Sequence, residues 1–169
     1  MVDFQHDILP LKNIIFRTAL RIVLNREEAE DIVQDTLLKL WQRREELGQI
    51  ANLEAFALSA ARNLAIDRKE KMVNRNVSLD DVQHDRPDER QMGIDQQMAQ
   101  KESASLISQI IDALPEKQRT VLHLRDIEGK TYKDIATMLS ISESDVKVTL
   151  FRARNEVKEK ILQKKPLFL

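Results

Sequence analysis

Cysteine is absent from this chain of 169 residues, and glycine and proline are scarce, with three and four copies. Without cysteine the protein has no disulfide and no thiolate metal site, which suits a reducing cytoplasm. Few glycines and prolines leave little turn chemistry for the many short connections that a β-rich fold needs. These absences favour an all-α protein of the cytoplasm.

Long apolar runs and catalytic motifs are lacking as well. No stretch approaches the roughly 20 apolar residues of a membrane span, and the N-terminal MVDFQHDILP lacks the layout of a signal peptide. His6, His84 and His123 are far apart and show no metal-ligand spacing. Neither a phosphate-binding glycine loop nor a nucleophile motif is present. The sequence therefore predicts no membrane insertion, no metal or cofactor, and no enzyme activity.

The apolar residues recur at helical spacing in two separate parts of the chain. Three helices are predicted, at about Leu11–Leu24, Glu27–Glu46 and Leu53–Lys71. We expect them to form one domain over residues 1–75, and a second helical domain to occupy residues 101–169. Between them, residues 76–100 carry six acidic and two basic side chains and little periodicity. This composition predicts a flexible acidic linker.

A helix-turn-helix is predicted from Tyr132 to Arg154. Thr131 with Asp134, and Ser142 with Asp145, form two helix-start signals. The second signal follows the first too closely for one continuous helix. In a helix-turn-helix the second helix enters the DNA major groove.

The second helix of this motif carries side chains suited to DNA. Basic side chains there can neutralise phosphates or bond guanine, and apolar ones can meet thymine methyl groups. A helix-turn-helix that mediates only protein contacts remains an alternative. The candidate basic residues are Lys147, Arg152 and Arg154, and the candidate methyl contacts are Val148, Thr149 and Phe151.

Two charged helix faces in the first domain permit two interpretations each. The polar face of the second helix, opposite its apolar stripe, is either a solvated face or a docking face for a basic partner. It consists of Glu27, Glu28, Asp31, Gln34, Asp35 and Gln42. The end of the third helix carries Arg62, Arg68, Lys69, Lys71 and Arg75. It is either an ordinary exposed helix end, or a site where cations grip phosphates while Asn63 reads a base edge.

Together these segments resemble an extracytoplasmic-function sigma factor of the sigma-70 superfamily. EEAEDIVQDTLLKLWQRREEL and FALSAARNLAIDRKEK resemble region 2 of that family, and ALPEKQRTVLHLRDIEGKTYKDIA and DVKVTLFRAR resemble region 4. The resemblance implies an alternative sigma factor that binds core RNA polymerase and promoter DNA, with an anti-sigma factor as inhibitor. It also implies that a base is flipped out of the opening duplex, which costs a few kcal/mol of stacking.

The resemblance assigns a role to each charged face. It implies that the acidic helix docks on the clamp helices of the polymerase, and that the basic segment engages the −10 element. The helix from Asp145 to Arg154 is then the reader of the −35 element. The implied polymerase contacts are Asp31, Gln34 and Asp35, the −10 contacts are Arg62, Asn63, Asp67, Arg68, Lys69 and Lys71, and the −35 contacts are Lys147, Val148, Thr149, Phe151, Arg152 and Arg154.

The chain departs from the family pattern at three places. Ser140 stands where the turn usually has glycine, Val148 and Thr149 replace a polar and basic pair, and AFALSAA replaces an aromatic-rich segment. Two other functions stay open: a repressor or activator that binds duplex DNA alone, and a sigma-like decoy that holds polymerase without reading DNA. The basic segment from Arg62 to Arg75 argues against both, since neither needs it.

Overall fold

The computed structural model describes residues 1–75 and 105–164. The predicted all-α class is confirmed, since every regular element in these two ranges is a helix. The predicted linker at 76–100 and the last residues of the chain lie outside the described residues. The limits of the two domains therefore remain a prediction.

The N-terminal unit, residues 1–75, contains the three predicted helices. A π-helical turn at Phe4–Ile8 and a 3-10 turn at Leu9–Leu11 lead into α1. The helices are α1 at Lys12–Val23, α2 at Arg26–Gln42, a short α3 at Arg44–Leu47, and α4 at Leu53–Arg75. The second predicted helix therefore ends at Gln42, because the backbone of Arg43 leaves helical geometry (φ −106°, ψ 20°).

Helices α1, α2 and α4 pack against one another around one core. Ile15 and Ile22 of α1 meet the buried stripe of α2, which includes Ile32 and Leu40. Helix α4 faces them with small side chains, so the helix axes can approach closely. The sharp turn between α1 and α2 places Leu24 in the left-handed region (φ 56°), and Asn25 caps α2 by accepting a hydrogen bond from the Glu28 amide at 2.9 Å.

The C-terminal unit, residues 105–164, contains four helices and one π-helical segment. Helix α5 spans residues 105–112, followed by α6 at Glu116–Leu122 and the π-helical segment at His123–Ile127. Helix α7 at Tyr132–Leu139 and helix α8 at Glu143–Gln163 complete the unit. Gly129 has a left-handed backbone (φ 73°) at the turn that leads to α7, which glycine adopts without steric cost.

The two units pack directly on each other. Helix α1 contacts α6, and α4 contacts α7. With the exception of Ile110, the buried apolar residues described in both units belong to one continuous cluster. This packing sets which charged side chains are free on the surface.

Candidate nucleic-acid interface and charged helix faces

The helix-turn-helix is built by the two predicted capping signals. The Thr131 hydroxyl accepts a hydrogen bond from the Asp134 amide at 3.0 Å, and the Ser142 hydroxyl accepts one from the Asp145 amide at 3.0 Å. Both threonine and serine therefore satisfy amides that the first helical turn leaves without partners. The two predicted helix starts are confirmed, but only the first helix is short: α8 spans 21 residues and continues beyond the predicted motif.

The turn between α7 and α8 holds Ser140 in the left-handed region, at φ 59° and ψ 46°. The chain closes the turn with a hydrogen bond from the Ile141 amide to the Ala136 carbonyl, at 3.0 Å. This is the position at which helices most often end with glycine, because a Cβ atom is unfavourable there. The turn of this helix-turn-helix therefore contains a serine in a backbone conformation that is unfavourable for any residue with a Cβ atom.

Replacing Ser140 by glycine is expected to stabilise the fold by about 0.5–1 kcal/mol, because glycine removes the left-handed penalty. Ser140→Ala is the matched control: it shortens the side chain and keeps the Cβ atom, so no gain is expected. Urea denaturation of the wild type and both variants measures the difference. Equal stability of the glycine and alanine variants would show that the backbone here carries no strain.

Helix α8 separates into a buried side and an exposed side. Val146, Leu150 and Ala153 pack into the core. The exposed side holds Lys147, Val148, Phe151 and Arg152, and Phe151 is 66% exposed. A large exposed aromatic beside basic residues is uncommon on a plain solvent face and suits contact with bases.

Thr149 requires a correction to the predicted DNA contacts. It is only 5% exposed, and its hydroxyl donates to the Asp145 carboxylate at 3.1 Å. Its position three residues after Val146 places it on the buried side of the helix. Thr149 therefore packs inside the unit and is not positioned to meet a thymine methyl group.

The basic residues on and beside α8 differ in their availability. Arg154 makes a paired interaction with Asp126, with Nε at 3.0 Å from one carboxylate oxygen, and this hydrogen bond raises the pKa of Arg154. The Lys147 amine lies 5.6 Å from the centre of the Tyr132 ring, which Arg125 also covers at 4.4 Å. Lys147 is exposed and makes no ion pair among the described residues, whereas Arg154 is bound to Asp126.

The acidic face of α2 is partly neutralised by one arginine from α4. The guanidinium nitrogens of Arg68 lie 2.8 Å from a carboxylate oxygen of Glu28, 3.0 Å from one of Asp35 and 3.6 Å from one of Asp31. The hydrogen bond to Glu28, followed by the charges of the other two carboxylates, raises the pKa of Arg68. Arg68, predicted as a −10 contact, is therefore engaged with the predicted polymerase face, of which Asp31, Gln34 and Asp35 are exposed.

The remaining predicted −10 residues lie on two different sides of α4. Arg62 binds Glu116 of the C-terminal unit, with nitrogen–oxygen distances of 3.0 and 3.3 Å. Lys69 is half-buried beside the same Glu116, at a cleft of about 470 Å³, and burial lowers its pKa. Asn63, Asp67 and Lys71 are exposed, and the Lys71 amine lies 3.7 Å from a carboxylate oxygen of Asp67 in an ion pair. The structure thus exposes only part of the predicted set.

A buried polar cluster between the two units was not foreseen from the sequence. Nε2 of His123 lies 3.1 Å from a carboxylate oxygen of Glu128, and Nδ1 accepts a hydrogen bond from Nε of Arg21 at 3.4 Å. Burial, followed by the nearby Arg21 charge, lowers the pKa of His123 to about 4, so the ring is neutral at pH 7. The hydrogen bond from Arg17 lowers the pKa of Glu128. Since these residues are far apart in sequence, no local pattern predicts the cluster.

Two possible features are absent from residues 1–75 and 105–164. No cluster of histidine, aspartate and glutamate side chains there has the arrangement of a metal site. No helix in these ranges has the length and apolar character to span a membrane. The described residues form two helical units, which carry a helix-turn-helix with an exposed basic side and two charged helix faces.

Comparison with known proteins places this architecture in one family. The model of sigma-70 region 2 matches residues 8–77, and the model of sigma-70 region 4 matches residues 104–157. The RNA polymerase sigma-H factor of Pseudomonas aeruginosa is 30% identical over 173 residues, which cover 96% of this chain and 84% of that protein. The ECF RNA polymerase sigma factor SigL of Mycobacterium tuberculosis is 33% identical over 146 residues, covering 83% of this chain and 78% of SigL.

Solved structures agree with this assignment. The sigma factor RpoE of Bartonella quintana, in complex with the anti-sigma factor NepR, superposes with a TM-score of 0.72 at 25% identity, covering 93% of this chain and 95% of RpoE. CnrH, in complex with the cytosolic domain of CnrY, has a TM-score of 0.69 at 16% identity, covers 94% of this chain and 86% of CnrH, and shows the same fold. The chain belongs to the sigma-70 family, in its extracytoplasmic-function group, and is a sigma factor of transcription initiation.

Proposed function

We propose that this chain binds core RNA polymerase in the cytoplasm and directs it to promoters that carry a −10 and a −35 element. The observation that carries the proposal is the presence of both sigma-70 regions, in order, on one chain. The chain itself performs no bond chemistry in this proposal. It supplies binding and orientation, while the polymerase makes the phosphodiester bonds.

For the −35 element, we assign the exposed side of α8 as the reading surface. Lys147 lies in the first turns of the helix, where recognition helices enter the groove most deeply. Val148 and Phe151 provide exposed apolar contacts, and Arg152 adds a cation on the same surface. Arg154 is proposed as a backbone contact that exchanges Asp126 for a phosphate.

For the −10 element, we assign Arg62, Asn63 and the basic residues after them to the opened strand. Asn63 is exposed, and Lys71, which is also exposed, forms a long ion pair of 3.7 Å with Asp67 on the same helix, whereas Arg62 must first leave Glu116. Arg68 has a different role in this proposal. Because it donates hydrogen bonds to Glu28 and Asp35 and forms an ion pair with Asp31, it positions the polymerase-docking face formed by Asp31, Gln34 and Asp35.

An anti-sigma factor is proposed as the inhibitory partner. The similarity to RpoE, which was solved with its anti-sigma factor, supports this at 25% identity and with nearly complete coverage of both chains. Such a partner has to cover surfaces that polymerase or promoter DNA would otherwise use.

The purified chain is expected to make core polymerase initiate at defined promoters, while binding promoter DNA weakly by itself. In vitro transcription with core polymerase over a promoter library measures this, with core polymerase alone as the control. The recovered promoters should share two sequence elements at a fixed spacing. Tight operator binding by the chain alone, as a dimer on a palindrome, would instead identify a repressor or activator. Polymerase binding without initiation at any promoter would identify a decoy.

Reversing two charges of the docking face, as Asp31→Lys with Asp35→Lys, is expected to weaken core-polymerase binding at least tenfold, or about 1.4 kcal/mol. Each reversed charge turns an attraction with a basic partner into a repulsion. The fold should lose about 1–2 kcal/mol, because the two aspartates give up their pairings with Arg68, at 3.6 and 3.0 Å, and exposed ion pairs contribute about 0–1 kcal/mol each. Arg68 keeps its pairing with Glu28, at 2.8 Å. Pull-down titration and thermal melting measure the two effects.

The matched control reverses two exposed acids elsewhere, Glu45→Lys with Glu159→Lys, and so changes the net charge equally. Polymerase affinity should then stay close to that of the wild type. If both double variants bind polymerase as the wild type does, the acidic face of α2 is merely solvated.

A further inference from the structure

Tyr132 places an aromatic ring at the start of the helix-turn-helix. It is the first residue of α7 and follows the capping residue Thr131. Its side chain is half-buried and packs against the core, which fixes the position of the ring. Tyrosine has only two side-chain torsion angles, so ordering its ring costs little entropy. Tyr132 can therefore serve as a fixed surface for a neighbouring side chain.

Two cations lie over this ring. The guanidinium carbon of Arg125 is 4.4 Å from the ring centre, and the amine of Lys147 is 5.6 Å from it. Both distances fall within the roughly 6 Å over which the negative face of an aromatic ring attracts a cation. Arg125 is held in addition by a hydrogen bond from its Nη1 to the Lys130 carbonyl, at 2.9 Å. The ring thus joins a residue before α7 to an early residue of α8.

This kind of contact leaves the lysine able to bind DNA. The aromatic face attracts the charge of the Lys147 amine without neutralising it, and the three N–H donors of the amine are not taken up by a carboxylate. Arg154, on the same helix, instead donates hydrogen bonds from two nitrogens to Asp126. A DNA contact by Arg154 has to replace those hydrogen bonds, whereas a contact by Lys147 does not.

The location of the ring also suits a role in reading DNA. In a helix-turn-helix on DNA, the first helix crosses the backbone and the N-terminal residues of the second helix contact base edges. Tyr132 begins the first of these helices, and Lys147 is the fifth residue of the second. Lys147 is exposed, whereas Val146 before it is buried. The contact between ring and amine therefore lies where the two helices approach the duplex.

A lysine that is already held in place binds a base more strongly than a mobile one. The long lysine side chain gives up much rotamer freedom when its amine is fixed at one point. If the amine rests on the Tyr132 ring before DNA arrives, part of this loss has already occurred, and the later contact is stronger. The gain is confined to the base that Lys147 contacts.

We propose that Tyr132 is a positioning residue for recognition of the −35 element, and that its ring holds the Lys147 amine toward the base that Lys147 reads. The inference rests on the proposed function, in which Lys147 contacts a base of this element. Positioning requires the ring and not the hydroxyl group. Two other roles of a tyrosine at this place are a hydroxyl contact to a phosphate and support of the core, and the experiments below separate them from positioning.

NMR of the free full chain measures the contact itself. A ring that lies against a side chain shifts the neighbouring protons upfield, here those of the ε-methylene group of Lys147. The shift is expected in the wild type and in Tyr132→Phe, and it should disappear in Tyr132→Leu. An unshifted ε-methylene signal in the wild type would overturn the inference without any measurement on polymerase.

Binding of the holoenzyme to a library of −35 variants measures the effect on reading. Tyr132→Leu should lower the preference for the base contacted by Lys147 by about twofold to fivefold, as expected for an exposed cation–π contact. Tyr132→Phe keeps the ring and should read as the wild type does. Phe16→Leu is the matched control: Phe16 is half-buried in the N-terminal unit, and the guanidinium carbon of Arg26 lies 5.5 Å from its ring centre. Its loss should leave the −35 preference unchanged.

A double-mutant cycle shows whether Tyr132 acts through Lys147. In a Lys147→Ala background, Tyr132→Leu should change the base preference no further, because the positioned amine is gone. An equal effect in both backgrounds would overturn the inference. So would a loss that is uniform over all −35 sequences: in both Tyr132 variants it would indicate a phosphate contact by the hydroxyl, and in Tyr132→Leu alone it would indicate support of the core.

Failure of the inference and failure of the proposed function give different results. If Lys147→Ala relaxes the base preference and Tyr132→Leu does not, the −35 assignment stands and positioning by Tyr132 is wrong. If Lys147→Ala weakens all −35 sequences equally, Lys147 is not a reader, and both the assignment and the positioning role fail. If the wild-type chain does not direct core polymerase to any promoter, the proposed function fails, while the NMR shift still reports the contact between ring and amine.

Discussion

Replacing Ile135 by alanine is expected to destabilise the helix-turn-helix by about 2–5 kcal/mol. Ile135 is 0% exposed and lies at the centre of the C-terminal core, where α7 packs on α8. The truncation removes buried apolar surface and leaves a cavity that the neighbouring helices fill only in part. Urea denaturation of the full chain measures the loss.

Ile127→Ala is the matched control, because it is the same change in the same unit at a side chain that is 48% exposed. Its cost should stay below about 1 kcal/mol, since most of the cavity term is absent. Transcription from promoters that depend on the −35 element should fail at lower temperature for Ile135→Ala than for Ile127→Ala. Similar losses for both variants would show that Ile135 does not hold the motif together.

Replacing Lys147 by alanine is expected to relax base preference in the −35 element. A lost bidentate contact to a base costs about 1–3 kcal/mol, or roughly 5-fold to 150-fold in affinity for the preferred sequence. Lys147 is exposed in the early part of α8, and its amine lies 5.6 Å from the centre of the Tyr132 ring. Binding of the holoenzyme to a library of −35 variants measures the change in preference.

Arg154→Ala is the comparison, since Arg154 lies seven residues later on the same helix and is proposed to meet the DNA backbone. Its loss should weaken all promoters alike and reduce the salt dependence of binding by about one counterion. The pairing with Asp126 makes this loss smaller than for a free arginine, because part of the charge is already neutralised. A uniform loss across all −35 sequences for Lys147→Ala would make it a phosphate contact instead of a reader.

The local structure of this protein follows closely from its sequence. Apolar periodicity located the helices, and the threonine and serine at the two starts of the helix-turn-helix cap their helices as predicted. These features depend on residues within four positions of each other, which a sequence pattern records directly. The one wrong side-chain assignment on α8 is Thr149, which belongs to the buried stripe because it follows Val146 by three residues.

The motifs of the sequence, taken in order, also determined the family. The acidic helix, the basic helix end and the helix-turn-helix resembled sigma-70 regions 2 and 4, and the family models match those same parts of the chain. That inference needed only residue types and their order. It did not need the arrangement of the two units.

Only the tertiary structure decided which charged residues are free to bind a partner. Arg62 and Arg68 are both basic residues of α4, yet Arg62 is held by a carboxylate of the other unit and Arg68 by the acids of α2. Arg17 meets Glu128 from a position 111 residues away. Helical periodicity assigns a side chain to a face of its own helix, but the partner on that face is set by how helices distant in sequence pack together. The sequence therefore determined the helices and the family, and the packing of the two units determined which contacts its charges make.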